Sequence, residues 1–400
     1  RMKTIAFYLP LSKDGPMKRI WDQRYRELES AHLARSMRIT GPGPVVETRD
    51  GPKIIFCSND YLGLAVHPHV IRAAAEGMAA GVGAGASRLV SGNETWHDTL
   101  ERAFAEFTQQ EAAVLFPSGY QANVGTISAL AHEGDVIFSD ERSHASIIDG
   151  CRLSKARVEI YSHNNVDDLR QRLERHRGAS GGRLVVCEAI YSMDGDVSPL
   201  AQICDAAAEF GAAVYLDEAH SIGVLGPEGR GLAAQLNVAN RVDILVGTFG
   251  KAVGVSGAAV ACSETVSRLI KSSARSLLYT TAPPSALARA VCESLSLIRF
   301  DDELRHRLDS NVQYFRSAAK AAKISLSSST TPIQPVVIGD AARTMEMSNR
   351  LWERGLFVQG IRPPTVAPGT ERLRITITAR HCEAHIERLV AQLAALGAGQ

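Results

Sequence analysis

Between residues 112 and 262 the chain repeats one pattern, and that pattern limits the folds open to it. Short runs of Val, Ile, Leu and Ala stand at 112–116, 135–139, 157–161, 183–188, 212–216, 242–246 and 258–262. Between several of them, as at 121–131, 166–176 and 200–210, apolar residues recur at helical spacing. A strand that is apolar without alternation is buried on both faces, so the pattern predicts an α/β fold: a mostly parallel sheet covered by helices on either side. In an open sheet of this kind ligands sit beyond the carboxyl ends of the strands. The residues that follow the apolar runs are therefore the first candidates for a site.

The flanks read differently. Residues 18–38 carry Ile20, Tyr25, Leu28, Leu33 and Met37 at helical spacing, and a short strand is expected at 53–56. Helices are expected at 68–81 and 94–108. Past Pro283 the rhythm changes to helices at 285–299 and 303–322, a strand at 334–338, a helix at 342–355, a strand at 373–378 and a last helix at 382–396. The expected organisation is an N-terminal helix and arm (1–55), a large α/β unit (56–285) and a smaller α+β unit (286–400). The Ser/Thr run at 325–331 is expected to be a surface loop, and no repeat period is present.

Composition removes several functions. Of 400 residues, 44 are Lys or Arg and 43 Asp or Glu, a net charge of +1 that offers no field for nucleic acid. No apolar run approaches the ~20 residues that span a bilayer. The apolar stretch 5–11, broken by Pro10, is too short for a secretory signal and lacks a small-residue cleavage site. Seven cysteines (Cys57, Cys151, Cys187, Cys204, Cys262, Cys292 and Cys382) are odd in number and never in C-x-x-C spacing. They suit neither a disulfide framework nor a zinc site; they read as buried thiols in a reducing cytoplasm.

Three glycine-rich or acidic stretches resemble ligand loops and fail on context. Gly81-Val-Gly83-Ala-Gly85-Ala86 follows a helix rather than the strand a dinucleotide fingerprint needs. Gly247-Thr-Phe-Gly250-Lys251-Ala252 has too few residues between its glycines for a P-loop, and Ala252 stands where a magnesium-binding hydroxyl belongs. Ser192-Met-Asp194-Gly195-Asp196 lacks the remaining ligands of a calcium loop, and no metal is expected.

A pair of strand ends is more telling. The run 212–216 leads into Asp217-Glu-Ala-His220, and the run 242–246 into Gly247-Thr248-Phe-Gly-Lys251, one strand–helix–strand step further on. Asp217 alone reads as a helix cap and Lys251 alone as a solvated lysine. Together at neighbouring strand ends they suit pyridoxal phosphate chemistry, in which a lysine forms the Schiff base and a carboxylate keeps the pyridine nitrogen protonated. The strand 112–116, then Pro117-Ser118-Gly119-Tyr120 and a helix, supplies the N–H groups and hydroxyl that a phosphate needs, with Thr248 close to the lysine. His144, in Ser143-His144-Ala-Ser146, is a candidate to stack on the ring.

At this point the chain resembles the α-oxoamine synthase family of pyridoxal phosphate enzymes, from about Arg38 to the C-terminus. The resemblance rests on Ser58-Asn59-Asp60-Tyr61-Leu62-Gly63-Leu64, Gly85-Ala86-Ser87-Arg88-Leu89-Val90-Ser91-Gly92, Ser143-His144-Ala145-Ser146, Ser192-Met193-Asp194-Gly195-Asp196, Asp217-Glu218-Ala219-His220 and Thr248-Phe249-Gly250-Lys251. It implies a fold type I transferase, a homodimer with shared active sites, and decarboxylative condensation of an amino acid with an acyl thioester. The segments 249–259 and Ile361-Arg362-Pro363-Pro364-Thr365-Val366 narrow the implied substrates to L-alanine and a pimeloyl thioester, with CO2 and free thiol released. Glycine or serine with another acyl-CoA is the alternative. The sequence leaves open whether the carrier is coenzyme A or acyl-carrier protein.

The resemblance also implies roles. Lys251 would be the Schiff-base lysine and later the base that takes the Cα proton. Asp217 would pair with the pyridine nitrogen, His220 and Ser192 would contact the phenolic oxygen, and His144 would stack on the ring and donate a proton. Ser118, Gly119, Tyr120 and Thr248 would hold the phosphate, with Thr280 or Thr281 from the partner chain. Glu188 would border the cofactor. Arg374 would grip the substrate carboxylate with Asn59 beside it, and Arg362 and an N-terminal arginine would meet the substrate; Arg35 and Arg38 both qualify for the latter, Arg35 first. Ala252-Val253 depart from the Gly-Phe that many relatives carry after the lysine, a change bearing on the acyl pocket.

Overall fold

Each apolar run becomes a strand of one seven-stranded sheet. The strands are β1 (Ala112–Phe116), β2 (Val136–Asp140), β3 (Arg157–Tyr161), β4 (Arg183–Glu188), β5 (Ala213–Asp217), β6 (Ile244–Thr248) and β7 (Ala258–Cys262), in the order β1-β7-β6-β5-β4-β2-β3. The structure, a computed structural model, describes residues 15–399, so the apolar stretch 5–11 lies outside the described residues. No helix among the described residues is long and apolar enough to cross a membrane.

Alternate side chains of these strands enter two different cores, which is why the runs show no polar alternation. In β4, Val185 and Cys187 pack with Phe138, Leu216 and Leu245 on one face. Leu184 and Val186 pack with Val114, Tyr215 and Val246 on the other. Full burial of such a side chain is worth about 1.5–3 kcal/mol, so both faces resist any polar substitution.

The sheet is parallel except for β7, which runs antiparallel between β1 and β6. A parallel neighbour needs a crossover of a dozen or more residues, whereas the short connection 249–257 can only turn the chain back. That connection carries Lys251. It is pressed onto the 60–65 turn at Gly254, whose φ is +73° and where a Cβ would lie 2.4 Å from the Ala65 nitrogen. Only glycine tolerates both conditions.

Helices α2 (Gly119–Leu130), α3 (Ala145–Ser154), α4 (Val166–Arg175) and α5 (Leu200–Glu209) connect the strands; α1 (Pro16–Ser30) precedes them. The periodicity predicts α1 as far as residue 38, but it ends at Ser30. Glu27 and Glu29 load its last turn with the charge that opposes the helix dipole, and His32 adopts a left-handed φ of 56°. The helices at 145–154 and 264–273 are not foreseen by the apolar pattern; each is signalled instead by its capping residue, His144 and Ser263.

Two small sheets complete the fold. Strands β8 (Ile333–Val337), β9 (Gln359–Ile361) and β10 (Arg372–Thr376) form an antiparallel sheet in the order β8-β10-β9. Lys53–Ile55 pairs with Val45–Val46 on one side and with Leu356–Phe357 on the other, joining the N-terminal arm to the C-terminal part of the chain. Thr376 donates to the Phe56 carbonyl at 2.8 Å and Ala379 to that of Tyr61 at 2.7 Å. These bonds bring the 58–64 motif beside β10. The Ser/Thr run expected as a surface loop is half interior: Ser329 and Thr331 are buried, and both hydroxyls donate to the Gly195 carbonyl at 2.9 Å. Hydroxyls that satisfy a buried carbonyl are an alternative to exposure that composition does not reveal.

Candidate active site

The carboxyl ends of β1, β2, β4, β5 and β6 open onto one cavity of about 310 Å3. Its lining includes Ser118, Gly119 and Tyr120 after β1, His144 after β2, Glu188 ending β4, Asp217 ending β5, and Thr248 and Lys251 after β6. His220 and Asn59 complete the predicted members.

Asp217 is fixed by two different elements. Its Oδ1 accepts the Ala219 N–H at 2.9 Å, a local turn of the kind aspartates form, and its Oδ2 accepts from Asn123 Nδ2 of α2 at 2.7 Å. The Tyr215 hydroxyl donates to Asn123 Oδ1 at 2.7 Å, which sets the orientation of that amide. The second amide hydrogen goes to Ser146 Oγ at 2.9 Å, leaving the serine hydrogen for His144 Nδ1 at 2.8 Å. Nδ1 also accepts the Ser146 N–H at 3.2 Å, so the neutral ring carries its proton on Nε2.

The register Glu188↔Asp217 places two carboxyl groups side by side. Glu188 accepts the His144 N–H at 2.5 Å. Burial, and then the Asp217 charge, push Glu188 well above the usual carboxylate range, so it is the member of the pair that holds a proton. Burial likewise keeps His220 well below its ordinary value, with Lys251 and Arg374 adding to the effect. Its Nδ1 lies 2.7 Å from the Tyr61 hydroxyl. For His144, desolvation pushes the imidazole down while Asp217 pulls it up. Lys251 is brought down to about 8 by burial, against the pull of Asp217. A lysine near 8 holds a far larger neutral fraction near neutral pH than an ordinary lysine, and the neutral amine is the state a nucleophile or base requires.

The opposite end of the cavity is a donor cradle. Ser118 caps α2 by accepting the Gln121 N–H at 3.2 Å. The N–H groups of the first turn, at Gly119 and Tyr120, have no intrahelical acceptor. A Cβ on Gly119 would lie 2.5 Å from Thr248 Cγ2, so glycine there lets the helix start pack directly against Thr248, whose hydroxyl donates to the Ala219 carbonyl at 3.3 Å. A carboxylate at one end, an amine between, and N–H and hydroxyl donors at the other fit pyridoxal phosphate.

Arg374 of β10 is buried beside this cavity without lining it. Its Nε donates to the Ser192 carbonyl at 2.6 Å and its Nη1 to Asn59 Oδ1 at 3.1 Å. Ser192 therefore meets the site through its backbone, and its side chain does not line the cavity. Thr280 sits within its own chain at Gln121 (3.5 Å), and Thr281 is exposed; neither lines this chain's cavity.

The other arginines gather in a second cleft of about 700 Å3, lined by Arg35, Arg38, Met345, Gln359, Arg362 and Thr365 among others. Gln359 is the register partner of Arg374, which joins the cleft to the first site across β9 and β10. Arg362 is buried, held by the Ala34 carbonyl at 2.6 Å, and its Nε has no partner. Arg35 donates to Thr365 Oγ1 at 3.0 Å. Arg38 turns instead to Asn349 at 2.8 Å and stacks over Trp352. Burial, then the Arg35 charge, lower Arg362.

Sequence reasoning missed Asn123, Ser146 and Tyr61 as members of the site. Asn123 had a signal: it is the polar residue among Ala122, Val124 and Gly125 on a helix predicted to be covered. Ser146 and Tyr61 stood inside quoted motifs without a role.

Residues 51–393 match the family described as aminotransferase class I and II. The chain is 45% identical over 370 residues to an 8-amino-7-oxononanoate synthase of Marinobacter nauticus, covering 92% of this chain and 93% of that one. Among solved structures it is similar to a serine palmitoyltransferase of S. paucimobilis with a bound PLP–myriocin aldimine (TM-score 0.89, 31% identity, 96% and 98% of the two chains). It is also similar to an 8-amino-7-oxononanoate synthase of Francisella tularensis (TM-score 0.73, 27% identity, 86% and 97%).

Proposed function

The chain belongs to the aminotransferase class I and II family, and from that premise we infer that it performs the reaction for which its curated relatives are named. It is a pyridoxal phosphate-dependent acyltransferase of fold type I that condenses L-alanine with a pimeloyl thioester. The products are 8-amino-7-oxononanoate, CO2 and the free thiol, a step of biotin biosynthesis. The observation that carries this reading is one cavity bordered by Lys251, Asp217 and the α2 cradle.

When bound, pyridoxal phosphate takes up the amino group of the substrate and draws electrons from its Cα. The protein's part is to hold and move protons around that group. Asp217, held by Asn123 and Ala219, would meet the ring nitrogen of the bound group and favour its cationic form. Ser118, Gly119, Tyr120 and Thr248 bind the phosphate. Lys251, lowered by burial, is the base that takes the Cα proton. His144, with its hydrogen on Nε2, would stack on the bound group and offer that hydrogen to the substrate oxygen. His220 and the protonated Glu188 would supply hydrogens toward the phenolic oxygen of the bound group, and Arg374 with Asn59 would receive the alanine carboxylate.

Arg35, Arg362 and Thr365 take the far end of the acyl chain. Three guanidinium groups, of Arg35, Arg38 and Arg362, share that cleft, and Arg362 leaves a buried N–H unpaired. A buried unpaired donor of a cation costs more than about 1–3 kcal/mol, and a carboxylate relieves it. A pimeloyl chain ends in a carboxylate; a fatty acyl chain does not. This favours the dicarboxylic thioester over the serine-and-fatty-acyl reading that the fold similarity alone would admit. The enzyme works as a homodimer in the cytoplasm. Exposed apolar side chains at Val82, Leu89, Val90 and Tyr279 suit burial against a second copy, and its seven free cysteines suit a reducing compartment.

The test is product mass. With pyridoxal phosphate bound, L-alanine plus pimeloyl-CoA should give 8-amino-7-oxononanoate, and glycine with acetyl-CoA or serine with palmitoyl-CoA should give little. Preference for either alternative pair would overturn the assignment.

A further inference from the structure

The turn 191–197 carries two carboxylates, each matched by groups from a different element. Asp194 pairs with Arg142 at 3.0 Å and with Arg372 of β10. Asp196 Oδ2 accepts from His163 Nε2 at 2.5 Å and from Asn164 Nδ2 at 2.9 Å. On the other side of the ring, His163 Nδ1 lies 2.9 Å from Asp140 Oδ1 at the end of β2. With a carboxylate at each ring nitrogen, the imidazole donates at both and is a cation.

The two carboxylates are held by different parts of the chain. Asp140 also accepts the backbone N–H of Arg142 at 2.8 Å and of Asn164 at 2.9 Å, so it is anchored to the sheet end. Asp196 belongs to the turn itself. The other groups around the ring are accounted for. Tyr191 meets it edge-on at 4.5 Å, and the outer groove is lined by Asp167 and Arg170 of α4 and Gln202 of α5, with Arg170 paired to Glu209. At its other end the turn holds Arg374 through the Ser192 carbonyl at 2.6 Å.

We propose that His163 is a positioning residue for the amino-acid substrate: its imidazolium ties the 191–197 turn to Asp140 and thereby fixes, through the Ser192 carbonyl, the guanidinium of Arg374. The proposal rests on the assignment of the substrate carboxylate to Arg374. It gives the Ser192–Asp196 motif a task that touches neither cofactor nor substrate. Burial pulls the His163 ring down, but the bonds to Asp140 and Asp196 outweigh it and hold it at about 9. Because the folded value is raised above the ordinary one, the clamp is complete below about pH 6.5 and is released as pH rises through its folded value.

The experiment compares L-alanine with ethylamine, which has the amine but no carboxylate, as ligands of the holoenzyme. Binding is followed by the change in cofactor absorbance. The ratio of the two affinities, each expressed per free amine of that ligand at the pH of measurement, cancels titrations of the cofactor and of Lys251 and isolates recognition of the carboxylate. In the unmodified protein this preference for alanine should fall about tenfold between about pH 7 and about pH 10, the scale of losing one charge-assisted hydrogen bond. In His163→Gln it should be low at pH 7 and flat. Asp196→Asn should behave likewise and serves if His163→Gln does not fold. A flat preference in the unmodified protein, or an unchanged pH dependence in either variant, overturns the clamp. Arg374→Gln keeps the two claims apart. If it lowers the preference while His163→Gln does not, only the clamp fails; if it leaves the preference intact, the carboxylate assignment beneath it fails.

Discussion

Asn123 Nδ2 lies 2.7 Å from Asp217 Oδ2, so the acid at the end of β5 is oriented by a residue of α2, the helix whose first turn forms the phosphate cradle. One helix therefore sets both ends of the cofactor site. Its N-terminus carries the donors proposed for the phosphate, and its second turn aims the Asp217 carboxylate. The same asparagine reaches Ser146 and, through it, His144, which links the Asp217 carboxylate to the His144 imidazole.

Asn123→Leu should separate orientation from charge. The Asp217 carboxyl itself is unchanged, but one of its oxygens and the Tyr215 hydroxyl lose their partner. Each buried loss costs about 1–3 kcal/mol, so thermal stability should fall measurably and kcat by about tenfold or more, with cofactor still bound. Unchanged kcat at full cofactor occupancy would remove Asn123 from the working site.

Lys251 titrates at about 8 in the cofactor-free protein, and only its neutral form attacks an aldehyde. The sign follows directly: below that value the amine is mostly protonated and slow, above it mostly neutral. The rate at which the apoprotein captures pyridoxal phosphate, followed by absorbance, should rise with pH and level off above about 8. A rate still climbing toward the ordinary lysine value of about 10.4 would contradict the lowered amine.

Gly119→Ala should push Thr248 away from the cradle, since the new Cβ meets Thr248 Cγ2 at 2.5 Å. Cofactor affinity, measured by equilibrium dialysis, should drop about tenfold or more. Adding Thr248→Ser removes the clashing methyl and keeps the hydroxyl, so the double variant should recover part of the loss. Failure of the second change to help would place the damage elsewhere.

Arg362→Gln tests the acyl end. KM for pimeloyl-CoA should rise about tenfold, while KM for heptanoyl-CoA, the same length without the carboxylate, should barely change. Equal losses with both thioesters would show that Arg362 supports the fold rather than reading the carboxylate.

The parallel sheet was legible because burial of both faces leaves continuous apolar runs, and Asp217 and Lys251 stood out because each ends such a run. What stayed hidden was set by tertiary contacts without periodicity. The antiparallel course of β7 depends on the length of the 249–257 connection. The early end of α1 depends on charges in its last turn. Asn123, Tyr61 and Ser146 act through partners that come from other parts of the chain, and a buried amide has no composition of its own to mark it. His163, likewise, is an ordinary loop histidine until Asp140 and Asp196 are brought to its two nitrogens.

The account turns on Lys251 as the residue that carries the cofactor. Borohydride reduction of the holoenzyme, followed by proteolysis and mass spectrometry, should place the pyridoxyl phosphate mass on the peptide containing Lys251, with none fixed in Lys251→Ala. Label on a different lysine, or label retained in that variant, would contradict it.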